Sequence, residues 1–380
     1  MRYKRLPTQT LYLGAVVATQ TKRTAEFTID YLRFLDEHGQ PTQALPEFAE
    51  DVSFLQSLYQ SMVELRTFDA KAIALQRTGK MGTYASTLGQ EAISVALGAA
   101  MQPEDVFCPY YRDYGTQLAR GVTMEDILRY WGGDERGSDF KGCVEDLPIC
   151  VPIASQVLHA VGVAYAFHYR QQPRVAVTTI GDGGTSKGDF YEALNCAGLK
   201  KLPVVFVINN NQYAISIPIS EQTGCRTLAQ KGIAGEVRSL QVDGNDIIAM
   251  YDAMRTALQQ ARQGAGPTLI EAITYRMCDH TTADDARRYR SEEEVAKYKK
   301  EDPILRLRTF LASRGQWNEA QEKALIQAAQ AKVVTVVENY TNTPPRHPAS
   351  MFQHLYAELP AAFHSQKEEV IHFGGGQHHG

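Results

Sequence analysis

At 380 residues and 42.3 kDa, with 44% apolar residues, the chain is long enough to bury a large core. A formal net charge of -4 leaves no basic excess for a phosphate backbone, and no window approaches the roughly 20 apolar residues of a membrane span, so neither nucleic acid nor membrane is expected as a partner. The six cysteines, Cys108, Cys143, Cys150, Cys196, Cys225 and Cys278, contain no C-x-x-C pair, which fits reduced thiols rather than a disulfide framework or a zinc site.

The N-terminal stretch carries Arg2, Lys4, Arg5, Lys22 and Arg23 before its first acid, Glu26. Its mildly apolar run 11–18 is broken by Gly14 and followed by Thr19, Gln20 and Thr21, with no clear cleavage pattern, so residues 1–45 are read as an arm. From 46 the pattern turns helical: Phe54, Leu55, Leu58, Met62, Val63 and Leu65 recur near the 3.6-residue period, and a second helix is predicted over 90–100. Between them the Gly- and Thr-rich stretch 78–89 reads as a loop of the kind that lines sites. Two buried strands, 175–180 and 203–208, flank a helix whose Phe190, Ala193, Leu194 and Ala197 fall at i, i+3, i+4 and i+7. Strand, helix and strand make a βαβ unit with a right-handed crossover, and so a parallel sheet. A strand over 237–242, a helix over 247–262 and a strand over 267–275 extend this into an α/β, doubly wound, mainly parallel domain over 46–330. Glu-, Lys- and Ala-rich helical sequence dominates from 291, and 331–380 is read as a C-terminal helical extension ending in a flexible tail.

Chemistry is expected where strand 175–180 runs into Gly181-Asp182-Gly183-Gly184-Thr185-Ser186-Lys187-Gly188, at the carboxyl end of a parallel strand. A dinucleotide fingerprint would need glycine at Ser186, and a Walker loop would need Gly-Lys-Ser/Thr where Ser186-Lys187-Gly188 stands; both fail. What remains is a turn whose amides can approach a phosphate beside a carboxylate that can hold a cation. The neighbouring strand ends in Asn209-Asn210-Asn211-Gln212-Tyr213. Asp182, the Asn211 side-chain carbonyl and a backbone carbonyl near Tyr213 are then hard oxygen ligands for octahedral Mg²⁺, leaving positions for water and two diphosphate oxygens.

This Gly-Asp-Gly followed by Asn-Asn resembles the thiamine-diphosphate motif. Tyr84-Ala-Ser-Thr-Leu-Gly-Gln-Glu-Ala92, Tyr110-Tyr-Arg-Asp-Tyr-Gly115 and the segment from Asp279-His-Thr-Thr-Ala-Asp-Asp285 to Arg288-Tyr-Arg290 extend the likeness. From Tyr31 to Trp317 the chain resembles alpha subunits of the decarboxylating first component of 2-oxo acid dehydrogenase complexes. The resemblance implies that Asp182, Asn211 and the Tyr213 carbonyl hold Mg²⁺, and that the Gly183 and Gly184 amides, Tyr111 and Arg112 meet the diphosphate. It makes Ile153 the apolar residue over which thiamine diphosphate bends, and His280 a catalytic loop histidine that reaches the diphosphate and can relay protons. Ser155 and Gln156 match a cation-binding loop, implying K⁺.

The resemblance further implies a separate beta subunit that supplies the activating glutamate, a heterotetramer of two alpha and two beta chains, and docking on a lipoyl acyltransferase core. The implied reaction is decarboxylation of a small 2-oxo acid with acyl transfer to lipoyl-lysine, yielding acetyl-CoA in the full complex if the acid is pyruvate. The blocks 180–192 and 227–232 most resemble bacterial pyruvate-type chains. Thr281 and Thr282 stand where regulated eukaryotic members carry a serine, which fits a bacterial cytoplasm better than a mitochondrial matrix. The alternatives are a branched-chain 2-oxo acid dehydrogenase alpha subunit, an acetoin dehydrogenase alpha subunit and a non-catalytic scaffold subunit. Asp284 and Asp285 are read as loop-ordering acids that pair Arg287, Arg288 or Arg290. Gln90 and Glu91 could be merely a helix start, Tyr111 a core aromatic, and His159 and His168 are assigned to scaffold.

Overall fold

The computed structural model describes residues 23–374; most of the basic N-terminal stretch and tail residues 375–380 lie outside the described residues. In chain order, β1 (Asp30–Leu32) precedes α1 (Val52–Arg77) and α2 (Glu91–Ala100), and β2 (Val106–Cys108) precedes α3 (Tyr114–Ala119), α4 (Met124–Trp131) and α5 (Ser155–Tyr169). Next come β3 (Ala176–Gly181), α6 (Gly188–Lys200) and β4 (Val204–Asn210). A small hairpin of β5 (Tyr213–Ala214) and β6 (Ile217–Pro218) leads through α7 (Ile219–Gln222) to β7 (Arg238–Asp243), α8 (Ile247–Arg262) and β8 (Thr268–Ile273). Beyond these lie α9 (Glu292–Tyr298), α10 (Pro303–Ser313), α11 (Glu319–Thr341) and α12 (His364–Gly374).

Six strands form one sheet in the order β1-β7-β8-β4-β3-β2, with every pairing parallel. Alternate side chains of its centre enter opposite cores. Val177, Val205 and Val207 join α1, α2 and α8 on one face, while Ala176, Ile180, Val204, Phe206 and Ile208 join α5 and α6 on the other. A strand covered on both faces has no solvated side, so β3 and β4 read as continuous apolar runs. Phe190, Ala193, Leu194 and Ala197 are all buried on the sheet-facing side of α6, as their spacing predicts.

Two short strands have no such local signature. Asp246 caps α8 through the Ile248 and Ala249 amides at 3.0 and 3.2 Å, and its other oxygen accepts the Phe34 and Leu35 amides at 2.7 Å each. That carboxylate ties the segment after β1 to the sheet, so part of the expected arm is an edge strand paired with β7. At the other end α11 runs through residue 330 and buries Ala329, Val333 and Val336, which makes the helical extension continuous with the domain. Among the described residues no helix is long and apolar enough to cross a membrane.

Candidate active site

The parallel register sets Gly181 opposite Asn209, so the chain leaves β3 at Asp182 level with the end of β4. Residues 29 apart in sequence (211 − 182) thus become neighbours at one sheet edge. Asp182 opens a short 3-10 turn, Asp182–Ser186, and its buried Oδ2 accepts a hydrogen bond from Gln222 Nε2 at 2.8 Å. The turn is held from within: Thr185 Oγ1 donates to the Asp182 carbonyl at 2.7 Å, and buried Lys231 Nζ donates to Thr185 O and Oγ1, at 2.9 Å each. Burial pushes the Asp182 carboxyl above the usual carboxylate range, and a cation beside it would act in the opposite sense. A methyl group at Gly183 would lie 2.4 Å from Ala214 Cβ and one at Gly184 2.7 Å from Ile180 Cγ1, so a side chain at either position would force its neighbours to move.

Asn211 faces this turn, its Nδ2 donating to Gln90 Oε1 at 3.2 Å and its Oδ1 accepting from the Tyr213 amide at 3.3 Å. Gln90, the N-cap residue of α2, therefore does more than begin a helix: it fixes which way the Asn211 amide points. The chain then turns sharply, with Gln212 and Ile215 in the left-handed region at φ 74° and 55°. The Tyr213 carbonyl accepts Arg276 Nη1 at 3.3 Å.

Tyr111, Arg112, Ile153 and His280 line a cavity of about 370 Å³, into which Asp182, Gly183, Gly184, Asn211 and Tyr213 also face, with Ile153 beside Gly184. Gln156 reaches this cavity, whereas Ser155 does not line it. Gln156 Nε2 donates to the Thr179 carbonyl at 2.7 Å while its buried Oε1 has no partner. Ile153 is half exposed and precedes Ala154, whose φ of 69° turns the chain into α5. His159 and His168, both on α5, lie outside the cavity lining.

Arg112 is buried; its Nη1 donates to the Ser86 carbonyl and its Nη2 to the His280 carbonyl at 2.8 Å, leaving Nε without a partner. Its guanidinium lies 5.6 Å from the Tyr111 ring centroid. Behind His280 stands Arg276, fully buried, donating to the Ile215 carbonyl at 2.6 Å and to Tyr289 Oη at 2.7 Å. Among the described residues no carboxylate lies within ion-pair distance of Arg112 or Arg276. His280 Nδ1 sits 3.2 Å from Arg276 Nη1 and 3.5 Å from Arg112 Nη2. Both neighbours can only donate, so Nδ1 accepts and the ring is neutral. Burial and these two cations push its pKa down to about 3.

The loop acids behave differently from one another. Asp285 pairs with Arg287 at 2.8 Å as expected, but Asp284 accepts from the His280 amide at 2.8 Å and from Tyr289 Oη instead of an arginine. Arg290 instead donates to the Arg276 and Cys278 carbonyls. Arg276, Lys231 and Gln222 are contributors that sequence reasoning missed. Only Arg276 left a signal, a basic residue three positions beyond the apolar run of β8. Among the described residues no three His, Cys, Asp or Glu side chains cluster as a metal site. The oxygen set at Asp182 is one carboxylate with an amide and a backbone carbonyl, a set that suits a hard cation sharing its shell with ligand oxygens.

Residues 59–349 match the family model described as the dehydrogenase E1 component. Three relatives carry the name pyruvate dehydrogenase E1 component subunit alpha. The chain is 43% identical over 338 residues to the one from Acholeplasma laidlawii, covering 88% of this chain and 97% of the relative. It is 41% identical to that of Mycoplasma genitalium over 83% of this chain and 88% of the relative. It is 38% identical to that of Staphylococcus aureus over 92% and 95%, respectively. The chain belongs to the dehydrogenase E1 component family.

Proposed function

We propose that the chain is the thiamine-diphosphate-binding alpha subunit of a 2-oxo acid dehydrogenase first component, with pyruvate as its substrate, working in a bacterial cytoplasm. The observation that carries this reading is charge placement. A buried guanidinium, Arg112, with an orphaned Nε and no acid partner, faces the same cavity as the buried Asp182 carboxylate and the Asn211 and Tyr213 oxygens. A buried cation without a counter-charge is costly, and a diphosphate would offset it through charge-assisted, forked contacts. The names and coverage of the relatives support the substrate.

In this reading Asp182, Asn211 Oδ1 and the Tyr213 carbonyl hold Mg²⁺, while Arg112 and the Gly183 and Gly184 amides meet the diphosphate. Ile153 and Tyr111 would supply apolar contact to the bound cofactor. Thiamine diphosphate, when bound, supplies the electron sink that decarboxylation of a 2-oxo acid needs. His280 Nδ1 holds the two arginines apart as a neutral acceptor, so its remaining nitrogen carries the proton. A dianion against Arg112 would weaken the push that keeps the ring deprotonated, raising its proton affinity as the site fills. K⁺ beside Ser155 and Gln156 is supported by the unpartnered Gln156 Oε1. The beta subunit, the two-plus-two heterotetramer and the lipoyl acyltransferase core belong to the same proposal.

The test is CO₂ release from pyruvate against 3-methyl-2-oxobutanoate, with the chain co-expressed with its genomic beta partner and supplied with thiamine diphosphate and Mg²⁺. Preference for pyruvate is the expected result. Preference for the branched acid would reassign the substrate, and no turnover of either would move the reading to acetoin or to a scaffold.

A further inference from the structure

Asp69 lies inside α1, buried, with no basic side chain within ion-pair distance among the described residues. A buried acid of this kind persists only where donors are fixed around it. All of its donors come from one turn. Oδ1 accepts Tyr84 Oη at 3.1 Å, the Thr87 amide at 2.8 Å and Thr87 Oγ1 at 3.2 Å, and Oδ2 accepts Ser86 Oγ at 2.6 Å. Burial pushes the carboxyl up, and the hydrogen bonds from Ser86, Thr87 and Tyr84 pull it back toward the charged form.

The far side of the same turn supports the cavity wall twice. The Ser86 carbonyl accepts Arg112 Nη1. Tyr84 exchanges two hydrogen bonds with Thr282, its amide donating to Thr282 Oγ1 at 3.0 Å and its carbonyl accepting the Thr282 amide at 2.9 Å. Thr282 is two residues from His280, whose carbonyl is bonded to that same Arg112. Tyr84 is also stacked on Tyr114, 5.2 Å between centroids, so the turn has one packed side and one side facing the site.

We propose that Asp69 is a positioning residue: its carboxylate fastens the 84–87 turn, and through it holds Arg112 and the His280 loop in the arrangement that receives the diphosphate. The inference rests on the cofactor reading above. It assigns to α1, which carries no residue of the cavity wall, a part in setting cofactor affinity.

Asp69→Asn is the informative variant because it keeps the shape and reverses one bond. The new Nδ2 would face Ser86 Oγ, which already accepts the Leu88 amide at 3.2 Å. The measurement is the Kd for thiamine diphosphate at saturating Mg²⁺, by calorimetry on the full chain co-expressed with its beta partner, alongside the cleavage rate of residues 279–290 by a protease. Expected are a Kd raised about tenfold (about 1.4 kcal/mol), faster loop cleavage, a lowered kcat with little change in KM for the 2-oxo acid, and a near-native melting temperature without cofactor. Wild-type Kd and loop protection in Asp69→Asn, while the wild-type complex binds the cofactor, would overturn this inference alone. A wild-type complex that binds no cofactor would overturn the cofactor reading first and this inference with it. Should Asp69→Asn not fold, Tyr84→Phe and Ser86→Ala each remove one bond to the carboxylate; a raised Kd in both supports the role, and a wild-type Kd in both overturns it.

Discussion

At the carboxyl edge of β3 and β4 a backbone ladder brings Asp182 and Asn211 level and single bonds from Gln222 and Gln90 orient them, whereas Arg112 and His280 are placed by side-chain bonds drawn from α1, the 84–87 turn and residues 276–290. On the first wall the parallel register from Ala176↔Val204 to Gly181↔Asn209 brings Asp182 and Asn211 level. On the second, Arg112 is fixed by the Ser86 and His280 carbonyls, and His280 by Arg276, Arg112 and Asp284. A ladder loses little when one side chain is changed. A net of side-chain bonds spreads each change across several residues, so the two walls differ in how damage propagates.

The largest effect is expected from the ladder wall, where one side chain carries the chemistry but not the fold. Asp182→Ala should reduce CO₂ release by about a hundredfold or more at cofactor levels that saturate the wild type. Its melting temperature without cofactor should stay near wild type, since the residue sits in a strand-end turn; retention of more than a tenth of the activity would break the comparison. On the net wall, Arg112→Lys keeps the charge but cannot span two carbonyls at once. Cofactor Kd should rise on the order of tenfold, with residues 279–290 cleaved faster by protease. Weakened binding with unchanged loop protection would separate the two jobs assigned to Arg112.

A pH titration sharpens the account of His280. Its folded pKa of about 3 lies below the ordinary 6.5, so below pH 6.5 the unfolded chain takes up a proton that the folded chain refuses. Stability from this group is present above pH 6.5 and lost as pH falls toward 3. In cofactor-free protein, wild type should lose up to about 2 kcal/mol more than His280→Gln between pH 6.5 and 5 by denaturant unfolding; parallel curves would show that burial and the two arginines do not hold the ring neutral. The smallest effect is expected for Thr282→Ala, which removes the acceptor of the Tyr84 amide but leaves the backbone bond. It should cost about 1 kcal/mol of local stability, seen as a several-fold faster cleavage of the loop in hydrogen-exchange or protease assays.

The same division decides what could be read from the amino-acid sequence. The βαβ unit and its Asp182 and Asn211 termini were legible because period, run length and glycine placement are local properties. Strands β1 and β2, three residues each, lack run length and exist through pairing with β7 and β3. Helix α5 enters through a left-handed alanine, which no propensity announces. The loop histidine and Arg112 could be singled out, but not Arg276, which follows β8 and stands behind the histidine, nor that burial and both guanidiniums together keep the ring neutral. Asp69 was invisible for the same reason, an acid on the buried face of an amphipathic helix whose partners arrive from a loop. Gln90 illustrates the intermediate case: its place at a helix start was readable, its bond to Asn211 was not.

In the proposed function, the β3 and β4 edge holds a diphosphate through a metal ion. The most direct test is calorimetric titration of thiamine diphosphate into the chain co-expressed with its beta partner, once with Mg²⁺ and once with a chelator. The account predicts tight binding with Mg²⁺ and binding at least about tenfold weaker without it. Equal affinity under both conditions, or no binding in either, would contradict it.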